Sequence, residues 1–311
     1  MGAGAITTLP VGVQSDFPLA RLTTIRCGGA ADYFARPESL TALRELLAWA
    51  AVHRLEVAVV GSGSNLLISD EGVRGLVMKL SGELAAFTDQ PSSGELICGG
   101  GARLPAVAAA SARAGLSGIE FGISIPGTVG GAVRMNANAY GGALAEVLDW
   151  VEIVTAAGIE RRTPAQLAFT YRRSNLKPGE IVSRVGFKLT AAPAAEVKAT
   201  LAALRERRKA SQPAGIKTFG STFKNPADPR AEGRTAGQLL EAAGCRGLRI
   251  GGAGFSEKHA NFVENFGAAS TAEVIALMEA GRDRVRARFG IELEPEVQTL
   301  GATPMPAEWR H

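Results

Sequence analysis

The spacing of hydrophobic and polar positions predicts alternating helices and strands in the first third of the chain. Residues 39–54 place Leu40, Leu43, Leu46 and Leu47 on one helical face. Short β-rich runs follow at residues 56–60, 75–80 and 95–99. An alanine-rich stretch over 104–114 predicts a helix that Gly115 ends, because glycine readily adopts the left-handed backbone of a helix terminus.

The middle and the end of the chain show a different order of elements. Runs at 151–155 and 180–190 predict strands in quick succession, with a turn at Ala157-Gly158, and this favours an α+β fold over a doubly wound sheet. Residues 194–209 predict a charged helix and 211–215 a linker, so a domain boundary is expected near residue 200. The clearest helix runs over 270–289, because Ser270 and Glu273 form a capping box and Gly290 can end it.

Composition and charge exclude some classes of partner. At 311 residues, with 46% hydrophobic and 21% charged residues, the chain is long enough for two or three packed units. A net charge of +4 is too weak to indicate nucleic acid, because Lys and Arg are not interleaved with aromatic residues. The densest basic run, at 205–209, predicts a solvated helix face. An anionic small molecule is the expected kind of partner.

The rare residue types give expectations about compartment and metals. Cys27, Cys98 and Cys245 lie far apart, which fits neither a disulfide framework nor a zinc site and predicts a reducing cytoplasm. The start MGAGAITTLP lacks the features of an export signal, and no apolar run reaches membrane-span length, so no membrane insertion is expected. The chain has 3 histidines, so we expect no metal site and no Ser-His-Asp triad.

Two glycine-rich segments are the first candidates for chemistry. Residues 122–142 read GISIPGTVGGAVRMNANAYGG, which is typical of neither a good helix nor a solvated linker, and residues 61–70 read GSGSNLLISD. Such segments bring backbone amides close to phosphate oxygens, so the pair indicates a large cofactor held from two sides, with two ordinary turns as the alternative. The loop at 61–65 has neither the Walker nor the G-x-G-x-x-G spacing, which excludes a Rossmann interpretation of it.

Several motifs in a fixed order carry a resemblance to a known family. They are GSGSNLLISDEGVRG, GLSGIEFGISIPGTVGGAVRMNANAYGG, TYRRSN, GSTFKNP, GGAGFSEKHANF and LEPEVQTLG, and they span about residues 23–301. The chain closely resembles the bacterial UDP-N-acetylenolpyruvoylglucosamine reductase family. The resemblance implies FAD bound non-covalently by a two-part domain of the vanillyl-alcohol-oxidase (PCMH) type, and a C-terminal α+β substrate-binding domain. The implied domains are 1–80 and 81–200 for FAD and 201–311 for substrate.

The implied reaction is the reduction of UDP-N-acetylglucosamine enolpyruvate to UDP-N-acetylmuramate, with NADPH as reductant. It supplies peptidoglycan precursors, and through them cell-wall growth, cell shape and division. The expected location is the cytoplasm, and a monomer is one alternative for an oligomeric state that the sequence does not determine. The chain is similar to the shorter, second type of the family, because the distance between Arg172 and the Ser221 motif leaves little room for a substrate-capping insertion.

The resemblance also assigns residues to the cofactor and to the reaction. Ser221 would donate a proton to the carbanion formed by hydride addition, while Arg172 and Glu296 would stabilise the enolate. From the residues alone, Ser221 belongs to a turn and Glu296 to an acidic turn beside Pro295. The residues expected to contact FAD are Gly61, Ser62, Gly63, Ser64, Asn65, Leu66, Pro126, Gly127, Thr128, Gly130, Gly131 and Asn136.

A further set is expected to bind the sugar nucleotide. The resemblance assigns Tyr140, Lys209, Asn225, Arg246 and His259 to it. Arg246 and Lys209 are cations that suit a diphosphate, and Lys258, beside His259, is the alternative to them. His259 is expected to hydrogen-bond the uridine, and its alternative is a structural histidine.

One departure and several rival functions complete the expectations. The family commonly has glycine where this chain has Asn138, and asparagine tolerates left-handed backbone angles. The rivals are another FAD oxidoreductase of this fold acting on an alcohol or hydroxy acid, a sugar-nucleotide sensor without turnover, and a nucleic-acid-binding protein. Ser221, Glu296 and the K-N-P turn count against the first, and the intact catalytic trio counts against the second.

Overall fold

The computed structural model describes residues 8–90, 94–213 and 217–302, in two compact units. Unit 1 comprises the described residues of Met1–Phe17, Ala31–Gly61 and Arg74–Leu204. Unit 2 comprises those of Pro18–Ala30, Ser62–Val73 and Arg205–His311. Each unit therefore draws on separated parts of the chain, and the division into 1–80, 81–200 and 201–311 stays a prediction about domains.

Among the described residues, eighteen strands form small sheets in which most neighbours are antiparallel. Unit 1 holds a four-stranded sheet of order β1-β2-β5-β3 and a five-stranded sheet of order β12-β11-β13-β7-β6. The strands of the first sheet are β1 (Gln14–Pro18), β2 (Ala30–Ala35), β3 (Val57–Val59) and β5 (Val73–Met78). Those of the second are β6 (Phe87–Gln90), β7 (Glu95–Gly99), β11 (Leu148–Thr155), β12 (Gly158–Arg162) and β13 (Ile181–Lys188).

The remaining strands form two-stranded pairs and a three-stranded sheet. The pairs are β8 (Leu116–Ser117) with β14 (Thr190–Ala191), β9 (Asn138–Ala139) with β10 (Gly142–Ala143), and β4 (Leu66–Ile68) with β18 (Gln298–Leu300). The three-stranded sheet, in unit 2, consists of β15 (Arg249–Ile250), β16 (Ala253–Phe255) and β17 (Val263–Asn265). Strands β4 and β18 run parallel, with Leu66 opposite Gln298.

Seven α-helices accompany these sheets in the described part of the chain. They are α1 (Leu40–Val52), α2 (Leu104–Ala114), α3 (Val129–Arg134), α4 (Leu144–Val147), α5 (Ala194–Ser211), α6 (Ala236–Ala242) and α7 (Thr271–Phe289). None of these described helices has both the length and the apolar character that a membrane crossing requires.

Unit 1 has two hydrophobic cores and unit 2 has one. In unit 1, the α1 residues Leu43, Leu46 and Leu47 pack with the four-stranded sheet, while α2 packs with the five-stranded sheet. In unit 2, α6 and α7 enclose a core that includes Phe219, Phe223 and Phe255. Burying such side chains contributes about 1.5–3 kcal/mol each. These cores fix the glycine loops and the GSTFKNP segment to rigid elements.

Several sequence predictions agree with the observed elements. The mixed α+β class is confirmed, as is the capping box of α7, where Ser270 accepts from the Glu273 amide. Gly115 and Gly290 end their helices in the left-handed conformation. The prediction that residues 122–142 hold no helix is wrong over Val129–Arg134, because the Thr128 side chain caps a short helix there. Part of the predicted linker 211–215 lies outside the described residues.

Candidate active site

The glycine loop Ser62–Asn65 in unit 2 turns its carbonyl groups into the protein. Gly63 O accepts from Thr24 N at 3.0 Å, Ser64 O from Gly220 N at 2.9 Å, and Asn65 O from Gln298 N at 3.1 Å. Among the described residues, no hydrogen bond is donated by the backbone amides of this loop. Amides left unpaired in this way can donate to an anion, so the loop fits a phosphate group.

Gly61, in unit 1, lies against Thr128. A Cβ at Gly61 would stand 2.4 Å from Thr128 Oγ1, so only glycine allows this approach. Lys79 Nζ donates to the Gly61 carbonyl at 2.9 Å. The contact joins two residues that were assigned to the same cofactor from separate motifs.

The second glycine segment satisfies most of its own amides. Gly127 N donates to Ile125 O at 2.8 Å, and Gly130 N to Gly100 O at 2.7 Å. Thr128 Oγ1 accepts from Gly131 N at 3.4 Å. The amides of Gly127, Gly130 and Gly131 are therefore already paired within the protein, so the idea of a bare amide cradle does not hold for them.

Residues 136–140 and the turn that carries Arg172 are tied together in unit 1. Thr170 and Arg173 pair across the turn, and Arg172 at its tip has φ of 58°. Asn136 Nδ2 donates to Thr170 O at 3.0 Å, and Arg172 Nη1 donates to Asn138 O at 3.4 Å. Two residues assigned to FAD and to substrate chemistry thus belong to one small cluster.

Left-handed backbone in this cluster falls on residues other than the one expected. Asn136 has φ of 39° and Tyr140 of 52°, whereas Asn138 lies in strand β9 and is not left-handed. The argument that Asn138 must tolerate a left-handed backbone is therefore wrong. Asparagine in place of glycine at this position requires no left-handed backbone. Non-glycine residues in this region carry strain of about 1–3 kcal/mol each, which proteins often retain at functional sites.

In unit 2, the segments of Ser221 and Glu296 pair with each other. Glu296 N donates to Thr222 O at 2.8 Å, Lys224 N donates to Glu294 O at 2.9 Å, and Phe223 faces Pro295. Ser221 and Glu296 are both half-buried, whereas Thr222 and Phe223 are fully buried. The structure thus brings together two of the three residues expected to act on the substrate.

Asn261 fixes this pair of segments and was missed from the sequence. Its buried side chain accepts from Phe223 N at 2.9 Å and donates to Phe223 O at 2.8 Å, while Thr222 N donates to its carbonyl. The motif GGAGFSEKHANF contains Asn261, but only an asparagine's paired donor and acceptor, seen in place, reveals a backbone clamp.

Three of the residues expected to bind substrate, Asn225, Arg246 and His259, contact or flank helix α6. Asn225 Oδ1 accepts from Ala236 N at 3.0 Å, and Arg246 Nη2 lies 2.5 Å from Glu241 Oε1. The His259 ring lies so close to Gly237 that a Cβ there would stand 2.8 Å from His259 Cε1.

His259 is held as a neutral ring that donates through Nε2. Its Nδ1 accepts from Asn261 N at 3.2 Å, which places the ring proton on Nε2. Burial lowers the pKa of His259, and the neighbouring charge of Arg246 lowers it further. The His259 ring is therefore suited to donate a hydrogen bond from Nε2 to a neutral nucleobase. It is not suited to act as a cation.

Lys209 and its alternative Lys258 lie together. Lys258 Nζ donates to the backbone carbonyl of Lys209 at 2.9 Å. Both side chains are exposed, and Lys209 lies near the end of helix α5, while Lys258 directly precedes His259 in the sequence. Lys209 and Lys258, the alternative cations for the diphosphate, are thus neighbours in space.

Two buried asparagine oxygens test whether these residues fit FAD. Oδ1 of Asn65 and Oδ1 of Asn136 are enclosed and accept no hydrogen bond within the described part of the chain. Each belongs to a segment assigned to FAD, whose hydroxyl and ring N–H groups are donors. In unit 2 the free amides of Ser62–Asn65 also fit FAD, and in unit 1 the bare Gly61 does so. The described residues include no group of three or more His, Cys, Asp or Glu placed to hold a metal.

Comparisons with known proteins agree along most of the chain. Residues 31–163 match the family model described as FAD binding domain, and residues 212–300 match the model of the UDP-N-acetylenolpyruvoylglucosamine reductase C-terminal domain. The fold class expected from the resemblance, an FAD-binding domain with this C-terminal domain, is thereby confirmed.

Relatives with whole-length similarity carry the same name. UDP-N-acetylenolpyruvoylglucosamine reductase 2 of Symbiobacterium thermophilum is 42% identical over 92% of this chain and 92% of its own. The reductase of Rhizorhabdus wittichii is 44% identical, with 92% of each chain covered. The crystal structure of UDP-N-acetylenolpyruvylglucosamine reductase from Thermus caldophilus is 36% identical, covers 93% of this chain and 98% of its own, and gives a TM-score of 0.79. The chain belongs to the UDP-N-acetylenolpyruvoylglucosamine reductase family.

Proposed function

We propose that the chain reduces the enolpyruvyl double bond of UDP-N-acetylglucosamine enolpyruvate and produces UDP-N-acetylmuramate. The observation that carries the chemistry is the pairing of the Ser221 and Glu296 segments through the 2.8 Å bond between Glu296 N and Thr222 O. It holds a proton donor and a carboxylate on rigid backbone. Family membership supports the same reaction, with NADPH as the reductant.

Ser221 is assigned the proton transfer to the substrate. Hydride addition to one alkene carbon leaves an electron pair on the other, which the adjacent carboxylate delocalises as an enolate. The Ser221 hydroxyl gives its proton to that carbon and is later reprotonated from water. A hydroxyl is a weak acid, so it works only on a strongly basic carbon within hydrogen-bond reach. Its hydroxyl makes no hydrogen bond to another described residue, which leaves it available.

Arg172 and Glu296 are assigned the stabilisation of the enolate. A guanidinium presents paired N–H donors to a carboxylate, and its attraction increases as the carboxylate gains charge in the transition state. The strained backbone of Arg172 and its bond to Asn138 O orient this side chain. Glu296 acts on the substrate from the strand-like segment that pairs with Thr222.

FAD is held by residues of both glycine segments. Ser62, Gly63, Ser64 and Asn65 provide amides and side-chain hydroxyl or amide groups, and Leu66 begins strand β4 behind them. In unit 1, Gly61, Pro126, Gly127, Thr128, Gly130, Gly131 and Asn136 are the expected contacts. When bound, FAD supplies the hydride that it has received from NADPH.

The sugar nucleotide is assigned to Tyr140, Asn225, Arg246, His259 and Lys209. Arg246 and Lys209 are cations suited to the diphosphate, and the Nε2 donor of His259 suits a carbonyl oxygen of the uracil. Because the substrate is a nucleotide sugar made inside the cell, we place the enzyme in the cytoplasm, acting as a monomer in peptidoglycan precursor synthesis.

An anaerobic half-reaction experiment tests this function. The purified flavoprotein is reduced with NADPH, and flavin absorbance is followed after addition of UDP-N-acetylglucosamine enolpyruvate. Rapid return of the oxidised spectrum, with formation of UDP-N-acetylmuramate, is the expected result. A flavin that stays reduced would contradict the substrate assignment, and a protein that binds no flavin would contradict the cofactor.

A further inference from the structure

Lys79 lies beside Gly61 in unit 1, two further cations, Arg36 and Arg103, act on its charge, and the reaction uses none of the three. Lys79 follows strand β5 and Arg36 follows strand β2, while Arg103 precedes helix α2. Lys79 N donates to Ala35 O at 3.0 Å, which brings the ends of the two strands together. Arg103 pairs in an isolated bridge with Thr128, whose hydroxyl contacts the Gly61 position.

Within the part of the chain that the structure describes, no carboxylate forms an ion pair with these cations. None of the ion pairs between described residues includes Lys79, Arg36 or Arg103. Partial burial lowers the pKa of Lys79, and the charges of Arg36 and Arg103 lower it further. Like charges placed together destabilise the unliganded protein, so their presence indicates an anion that completes the arrangement.

The geometry around Lys79 shows what it can hold. One of its N–H groups is used by the Gly61 carbonyl at 2.9 Å, and an ammonium group has three donors. The remaining donors therefore lie beside a glycine whose Cα carries no side chain. Such donors, with no side chain beside them, suit a small group of high charge density. In a dinucleotide that group is a phosphate.

We propose that Lys79, with Arg36 and Arg103, forms an anion site beside Gly61 that takes a phosphate of a bound dinucleotide diphosphate. Lys79 has a second role as a positioning residue, because it fixes the Gly61 carbonyl. The inference rests on the proposed use of dinucleotides. FAD is the favoured source of the phosphate, since Gly61 and Thr128 belong to the segments assigned to FAD, and NADPH is the other.

The first test measures the affinity of the deflavinated full-length protein for FAD by quenching of flavin fluorescence. Lys79→Met should weaken FAD binding about 10- to 100-fold, the effect of one charge-assisted hydrogen bond. It should also make the dependence of the affinity on salt less steep. Lys188→Met, which removes an exposed lysine at the end of β13, is the control and should change neither quantity.

Arg103→Gln provides a second variant that does not disturb packing, because Arg103 is exposed. It should weaken FAD binding and leave the thermal stability of the flavin-free protein equal or higher, since it relieves repulsion. A merely structural arginine would lower that stability instead. Arg113→Gln, an exposed arginine at the other end of α2, is its control.

The kinetics of NADPH distinguish the two sources of phosphate. With FAD saturating, an unchanged KM for NADPH beside weaker FAD binding assigns the site to the FAD diphosphate. A raised KM for NADPH with unchanged FAD binding assigns it to NADPH. If Lys79→Met and Arg103→Gln change neither, the anion site is wrong. Failure of the unmodified protein to bind FAD would contradict the proposed function instead.

Discussion

Asn65 Nδ2 donates a 3.0 Å hydrogen bond to the backbone carbonyl of Glu296. The bond joins the glycine loop assigned to FAD to the carboxylate residue assigned to the substrate. It is reinforced where Gln298 N donates to Asn65 O, at the start of the parallel pairing of β4 with β18. The loop assigned to the cofactor and the Glu296 segment are therefore joined directly by hydrogen bonds within unit 2.

Asn65→Asp tests this coupling. A carboxylate has no donor for the Glu296 carbonyl and repels it, so we expect both weaker FAD binding and slower flavin reoxidation by substrate, each by about tenfold or more. FAD affinity and anaerobic reoxidation rates measure the two effects. Asn175→Asp is the control, because Asn175 Nδ2 also donates to a carbonyl, that of Gln166, from an exposed position. An effect on FAD affinity alone would contradict the coupling.

Ser221→Ala should separate the two halves of the reaction. Flavin reduction by NADPH needs no proton from Ser221, so its rate should change little, whereas reoxidation by substrate should slow about 10²- to 10⁴-fold. Stopped-flow absorbance under anaerobic conditions measures each half. Equal loss in both would refute the role of proton donor.

Thr222→Val is the matched control for Ser221→Ala. The Thr222 hydroxyl is fully enclosed and forms no hydrogen bond within the described residues, so its loss removes no contact. Because an unpaired buried hydroxyl costs about 1–3 kcal/mol, this variant should be as stable as the parent or more stable. It should also keep both half-reaction rates.

Local signals in the sequence predicted the elements, because caps and periodicity depend on neighbouring residues. The capping box of Ser270 with Glu273 and the stop at Gly115 each depend on residues within one helical turn. The clamp of Asn261 on Phe223 and the bond from Asn65 to Glu296 join residues distant in sequence, so no local pattern reveals them. The short helix at Val129–Arg134 was missed because its glycines disfavour helix, and its contacts in the core of unit 1 override that propensity.

The three cysteines should be inert in the native protein. Burial raises the pKa of Cys27 to about 11 and that of Cys98 to about 12, and it also raises the pKa of Cys245. All three are buried free thiols, and reaction requires an accessible thiolate. Titration with a chromogenic disulfide reagent at neutral pH should detect almost no thiol before unfolding and all three afterwards. Rapid reaction of any one in the folded protein would contradict this expectation.

His259 should remain neutral throughout the physiological range. Its pKa lies below the ordinary value of 6.5, first because of burial, so the protonated form appears only in more acidic solution. Proton NMR can follow its ring signal, assigned by its disappearance in His259→Asn. We expect a midpoint below 6.5 and a substrate KM that does not change with protonation of this ring above that pH. A midpoint above 6.5 would show a cationic histidine and exclude the uracil hydrogen bond as assigned.

Glu152 should make the stability of unit 1 depend on acid. Its carboxylate accepts from Ser183 Oγ at 2.8 Å and from Arg184 Nη2 at 3.0 Å, with the side chain 7% exposed. Burial by itself raises its pKa, but these hydrogen bonds and the charges of Arg184 and Arg161 outweigh burial, so the pKa lies below the ordinary 4.5.

The sign of the effect follows from the lowered pKa. The unfolded chain takes up this proton first as the pH falls, so the stabilisation is complete well above pH 4.5 and is lost as the pH falls through the lower native value. Glu152→Gln should therefore lower the free energy of unfolding at neutral pH by about 1–3 kcal/mol and have a progressively smaller effect in acid. Urea unfolding at several pH values measures this difference. Glu160→Gln is the control, since Glu160 is 53% exposed on the next strand and its pair with Arg162 should contribute about 0–1 kcal/mol. A Glu152→Gln effect that grows as the pH falls would show that the carboxylate destabilises the fold.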